Sequence, residues 1–244
     1  LPVDGCLGFD GRVVNSELGY GLQNLLQEKN VTINCSKDLV GEIWTSRPDM
    51  SCEPIWSLDV KYAGKSTVEK LSDLRDAMKK NKAQIHLMTA LDEIAWLFNL
   101  RGNDIVNNPV FLSYALITQD EAYLYVQKEA IKEDTKMGKA VCAALAEAKV
   151  QVKEYAEFLQ DVAALKNEKI LLERKKASFA VCESIDASCR ICISISRRLA
   201  TPDTRLSNDC ITRSLVLLFA RTFFSCRHVH YSHISIPQYI HKRL

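Results

Sequence analysis

This chain of 244 residues lacks several features, and each absence narrows what it can be. No uninterrupted apolar run approaches the roughly 20 residues that a membrane-spanning helix requires. Leu215-Val216-Leu217-Leu218-Phe219-Ala220 is far too short, so no membrane partner is expected. The amino terminus, Leu1-Pro2-Val3-Asp4-Gly5, has neither the basic start nor the apolar core of a secretory signal. It also lacks an initiator Met, and the expectation is a chain that begins inside a longer protein. The nine Cys are odd in number, and Cys6, Cys35, Cys52, Cys142 and Cys182 follow no repeating spacing. In a mixed helix–strand sequence without a signal, this reads as reduced thiols in the cytoplasm, not a disulfide framework. A surplus of one charge is missing too: a net of +2 makes no general case for a nucleic-acid partner.

What is present is an apolar fraction of 47% and a charged fraction of 25%, ordinary for a soluble globular protein. The length suits one large domain or two modest ones. The balanced charge hides a division. Residues 1–186 carry 23 basic and 28 acidic side chains, a net of −5, whereas residues 187–244 carry 9 and 2, a net of +7. The first part uses 18 Lys and 5 Arg, and the second 1 Lys and 8 Arg. The second part has no Glu and no Gly, yet holds four of the nine Cys and four of the five His. A break this sharp is what translation in a shifted reading frame gives, and a foreign fusion segment is the other source. Residues 185–244 are therefore expected to be an irregular tail.

Residues 1–57 read as the closing part of one α/β unit and a connector. Gly8-Phe9-Asp10 reads as a strand end, Asn15-Ser16-Glu17 caps a helix to about Gln27, and Val31–Asn34 is a second strand. Asp38–Trp44 reads as a turn or two of helix, with Arg47-Pro48 and Glu53-Pro54 as breaks. A compact α/β domain is expected over 58–184. Ser66-Thr67-Val68-Glu69 is a capping box, followed by Val68, Leu71, Leu74 and Met78 at helical spacing. Ala83–Met88 is a strand, and Thr89-Ala90-Leu91-Asp92 a second capping box. Phe111–Thr118 and Ala122–Gln127 pair as strands. Further on come a helix over 135–148, a strand at 150–152, a helix over 154–165, a strand over 169–172 and a helix over 176–184. Such alternation predicts a mixed sheet with helices packed on it.

One block is more specific than these patterns. It runs Leu91-Asp92-Glu93-Ile94-Ala95-Trp96-Leu97-Phe98-Asn99-Leu100-Arg101-Gly102-Asn103-Asp104 and closes with Asn108-Pro109-Val110-Phe111-Leu112-Ser113-Tyr114. With Lys61–Ser66, Asp38–Trp44, Arg47-Pro48 and Lys175–Val181, it resembles the second domain of the three-domain Xaa-Pro aminopeptidases (aminopeptidase P). The resemblance covers about residues 1–184. It implies the creatinase-type amino-terminal fold, an α/β architecture whose mixed β-sheet is flanked by helices. The preceding domain would be partial and the second complete.

In that family a third, pita-bread domain holds two metal ions, usually manganese, through two Asp, one His and two Glu. The metal pair activates a water that cleaves the bond before proline. None of those motifs is matched here. The tail offers only Asp203 and Asp209 as carboxylates. No catalytic residue and no family metal ligand is carried over, and the chain is expected not to cleave peptides by itself. The resemblance leaves two readings: a non-catalytic part of a peptidase that acts on proline-containing peptides, or a binding or assembly module. The expected partners are another copy of the chain or an intact aminopeptidase P subunit.

Trp96, Arg101 and Asp104 have two readings. They would face the active-site entrance of an intact enzyme, or Trp96 and Phe98 pack in the core while Arg101 and Asp104 fix the loop. Gly102 is expected to end the helix in a left-handed conformation. His86 sits in an apolar strand and reads as structural. No His is placed to serve a Ser or Cys nucleophile. In the tail, Cys189-Arg190-Ile191-Cys192 with His228, His230 and His233 allows a zinc reading. Against it, Cys192 and His228 lie much farther apart than in a zinc finger, and incidental Cys and His in out-of-frame sequence explain the pattern. The eight tail arginines form no nucleic-acid motif.

Overall fold

The computed structural model describes residues 1–193. In chain order, β1 (Cys6–Gly8), α1 (Ser16–Leu26) and β2 (Thr32–Asn34) form a small parallel β-α-β unit. Asn15 starts α1 because its side chain accepts from the Leu18 amide at 2.8 Å. The first strand lies earlier than Gly8-Phe9-Asp10, with Leu7 its inward residue. The short helix α2 (Leu39–Ile43) is capped by Asp38, which accepts from the Gly41 amide.

Next come β3 (Trp56–Ser57), α3 (Val60–Ala63) and α4 (Thr67–Lys80). The Ser66–Glu69 capping box is formed in both directions: Ser66 Oγ accepts from the Glu69 amide, and Glu69 accepts from the Ser66 amide. Leu71, Leu74 and Met78 are buried as their spacing predicts, but Val68 is 47% exposed. The apolar stripe is rotated, and Thr67 and Lys70 are buried in its place.

Then follow β4 (Ile85–Met88), α5 (Leu91–Leu97), β5 (Leu100–Arg101), and the hairpin β6 (Tyr114–Thr118) and β7 (Ala122–Val126). Helix α5 has Ala90 at its N-cap and no side-chain cap, so Thr89 does not form the expected box. The described residues finish with α6 (Lys136–Glu147), β8 (Val150–Glu154), α7 (Phe158–Ala164), β9 (Lys169–Leu172), α8 (Phe179–Ser184) and β10 (Arg190–Ile193). Two helices start later than expected. Residues 155–157 form a tight 3₁₀ turn before α7, and Ser178 caps α8.

Six strands make one mixed sheet in the order β10-β9-β4-β6-β7-β8. Strands β10, β9 and β4 run parallel, β6 is antiparallel to both its neighbours, and β8 runs parallel to β7. Side chains alternate across this sheet. Ala115 and Ile117 of β6 and Leu124 and Val126 of β7 enter one core with Leu71, Met78, Ile94 and Phe98 from α4 and the α5 segment. Leu116 and Tyr125 enter the other, with Phe158, Val162 and Val181 from α7 and α8. The sheet is thus covered by helices on both faces.

Packing and strand pairing extend beyond residues 58 and 184 at both ends. Ile55 is buried in the first core, and β3 pairs antiparallel with β5, so packing begins before residue 58. At the other end, β10 lies beyond residue 184 and pairs in register with β9, Arg190 opposite Lys169. The residues just past the expected boundary therefore complete the sheet edge. The leading β-α-β unit is tied to α8 by backbone bonds, Phe179 N to Val14 O at 2.7 Å and Ala180 N to Gly11 O at 2.8 Å.

Candidate functional site at the end of helix α5

An α-helix leaves its last carbonyls without partners inside the helix. In α5 two cations from neighbouring elements take them. Arg101, from β5, donates through Nη1 to the carbonyls of Ala95 and Leu100, each at 2.8 Å. Lys70, from α4, donates through Nζ to the Trp96 carbonyl at 2.8 Å and to Asn99 Oδ1 at 2.5 Å. Cations suit this position because the carboxyl end of a helix carries partial negative charge.

Asn99 makes the arrangement possible. Its φ of 53° places it in the left-handed region, which asparagine tolerates better than most residues, and the chain turns there out of α5 into β5. Its carbonyl accepts from the Leu58 amide at 2.7 Å, and its Nδ2 donates to the Lys65 carbonyl at 2.8 Å. The expected left-handed Gly102 is therefore corrected to Asn99. Gly102 is needed for a different reason: a Cβ there would lie 2.7 Å from Phe111 Cβ.

The electrostatics are unusual. Lys70 is 2% exposed, and burial, with a lesser push from the Arg101 charge, lowers its ammonium pKa to about 8. Burial also lowers the pKa of the Arg101 guanidinium. Among the described residues neither cation is paired with a carboxylate. The acids of α5, Asp92 and Glu93, lie in its first turn, at the opposite end, and Glu93 is bonded to Lys176 at 2.6 Å. Lys70 Nζ also sits 4.5 Å from the centroid of the Trp96 ring, a cation–π contact.

Trp96 is 51% exposed, whereas Phe98 is fully buried. The reading that puts both aromatics in the core holds for Phe98 and fails for Trp96, because Trp96 lies off the buried face of α5 that Ile94, Ala95 and Leu97 form. Arg101 shares the end of the helix with Trp96. Asp104 shares no hydrogen bond with either. It accepts from Ser51 Oγ at 2.7 Å, the Glu53 amide at 3.0 Å and the Leu112 amide at 2.8 Å, and so pins the connector to the segment before β6.

Lys70 and Asn99 are the two members of this cluster that sequence reasoning missed. A signal for Lys70 existed: it falls with Thr67, Leu71 and Leu74 on one helical face, a polar residue inside an apolar stripe. His86 places Nδ1 3.1 Å from the Leu171 carbonyl within the sheet, and burial lowers its pKa. Of the zinc alternative, Cys189 Sγ contacts the Leu165 carbonyl at 3.5 Å and Cys192 is a backbone member of β10. His228 and His230 lie outside the described residues.

Among the described residues no three His, Cys, Asp or Glu side chains converge on a point that a metal ion could take. These residues do not fit the manganese pair that the resemblance implies for an intact enzyme, and no chemical step through such a pair follows from them. Among the described residues no helix is long and apolar enough to cross a membrane.

Comparison with known proteins agrees with the fold. The family model of the Creatinase/Prolidase N-terminal domain matches residues 46–200. A probable Xaa-Pro aminopeptidase P from Sordaria macrospora is 45% identical over 133 residues, which are 54% of this chain and 21% of that protein. Aminopeptidase P1 from Arabidopsis thaliana is 33% identical over 172 residues, 70% of this chain and 26% of that one. The chain thus spans about a fifth to a quarter of the curated relatives it matches. In crystal structure, the X-prolyl aminopeptidase of Caenorhabditis elegans, a cytosolic enzyme with a di-nuclear active site, shares the fold with a TM-score of 0.70 at 24% identity, over 80% of this chain and 32% of that chain. The family match, which takes in more than half of the residues, coincides with the six-stranded mixed sheet and its flanking helices, and the chain belongs to the creatinase/prolidase N-terminal domain family.

Proposed function

We propose that this chain is the non-catalytic amino-terminal and middle portion of a Xaa-Pro aminopeptidase. The intact enzyme would remove an N-terminal residue preceding proline, using two manganese ions held outside the residues described. The observation that carries this reading is the 45% identity, over 133 residues, with a probable enzyme of that kind. In such an enzyme the domain's part is positional. The α5 end holds Trp96 on a rigid element, and Trp96 and Arg101 would stand at the entrance by which a peptide reaches the active site. Asp104 would keep the adjoining loop in place. A cytoplasmic setting is supported by the cysteines, since the six whose side chains are described are all free thiols.

A chimera tests the reading. Residues 46–193 of this chain replace the matching stretch of the Sordaria macrospora relative, and release of the first residue from a Xaa-Pro peptide is measured. The chimera should keep cleavage within about tenfold of its parent, or about 1.4 kcal/mol in the barrier. A folded chimera that has lost cleavage entirely would contradict the proposed part in the enzyme.

A further inference from the structure

Among the described residues, the end of α5 holds two positive charges and no negative one. Lys70 is bonded only to neutral acceptors, the Trp96 carbonyl and Asn99 Oδ1. Arg101 uses Nη1 alone, and its Nε and Nη2 have no partner among the described residues. Arg101 as a residue is partly exposed. Asp104, three residues on, cannot neutralise it, because its oxygens are committed to Ser51, Glu53 and Leu112. Trp96, half exposed, stands at the same helix end, with Lys70 against one side of its ring. Desolvated cations without counter-charges are costly to keep, and such places mark functional sites.

The free edge of Arg101 is a planar fork that matches a carboxylate in two parallel bonds. A carboxylate seated there would also lie in the field of Lys70, and the exposed Trp96 ring would cover the stem that carries it. We propose that Trp96 and Arg101, with Lys70 beneath them, form a docking surface for an acidic peptide segment, one of whose Asp or Glu side chains takes the Arg101 fork. Charge complementarity selects this occupant: among the described residues the surface supplies the cations and lacks the anion. The proposal is independent of the peptidase reading, since a binding module without a catalytic partner would use the same surface.

The test titrates the full chain with a hexaglutamate peptide, acetylated at its amino end and amidated at its carboxyl end, and follows the indole N–H signal of Trp96 by nuclear magnetic resonance. The chain has 3 Trp, and Trp96→Phe identifies the signal. Comparison with Arg101→Gln separates this surface from peptide held by the basic residues of 187–244. A saturable shift of the Trp96 signal is expected. It should vanish in Arg101→Gln and weaken about tenfold in Arg101→Lys, which keeps the charge and loses the fork. Absence of a shift overturns the proposal. So does an equal shift with hexaglutamine capped in the same way, or one that persists in folded Arg101→Gln. An equal shift from acetate at matched carboxylate concentration overturns the peptide segment as occupant and assigns the surface to small carboxylates. If Arg101→Gln does not fold, undiminished affinity in Arg101→Lys is the overturning result.

Discussion

Lys70 shows how one residue can carry a pH signature. Its ammonium pKa is lowered to about 8 in the folded chain, while an exposed lysine titrates near 10.4. Between these values the unfolded chain binds the proton more readily, so the stability contribution of Lys70 rises with pH across that window. Below about pH 8 the full penalty of the buried charge remains. In Lys70→Met the variant keeps no such slope, although the Trp96 carbonyl and Asn99 Oδ1 lose their donor at every pH. Urea midpoints of the two proteins, measured from neutral pH to about pH 10, should therefore diverge in favour of the native chain as pH rises; parallel profiles would refute the buried-charge account. Asp104 gives a second prediction. Asp104→Ala strands the Glu53 and Leu112 amides and the Ser51 hydroxyl, and should cost on the order of 2 kcal/mol in denaturant unfolding. A change below about 0.5 kcal/mol, the range of an ordinary surface substitution, would show that the loop does not depend on it.

The elements that were legible in the sequence are those decided by neighbours in the chain. The Ser66–Glu69 box and the Asn15 cap each need groups only three residues apart, and both formed as read. Strand β9 lies where its residues predicted, over Lys169–Leu172. What was not legible depends on packing from afar. The start of α5 at Leu91 follows from where β4 leaves the sheet, which displaced the Thr89 cap by one residue. Lys70 is buried, and Val68 is not, because the end of α5 presents carbonyls that a cation can satisfy and a valine cannot. Asn99 took the turn assigned to Gly102 for a similar reason, since its side chain bonds across to Lys65 and Lys70. The junction of α1 with α8 is also set by distant packing. Gly19 lies so close to Phe179 that an added Cβ would meet the ring at 2.2 Å. Gly19→Ala should destabilise the chain by about 1–3 kcal/mol, an overpacking cost, and Phe179→Leu in the same chain should recover part of it. Additive losses in the double variant, read by thermal unfolding, would mean that the contact is not what limits position 19.

At the scale of the whole molecule, the sheet continues across the division of composition near residue 186. The sheet runs on to Ile193, and the family match to residue 200. Strand pairing is made by backbone groups, so a sheet edge accepts side chains of unfamiliar composition provided that alternate ones fit the core. Ile191 does so, packing on the core beneath β9 and β4. A compositional break was thus visible in the sequence, but the continuation of the sheet across it was not. The central claim concerns what this molecule does by itself. Purified chain is incubated with manganese and the peptide Arg-Pro-Pro, and free arginine is measured against a blank without protein. The account predicts no release above the blank with or without the metal; manganese-dependent release of arginine, well above the blank, would contradict it.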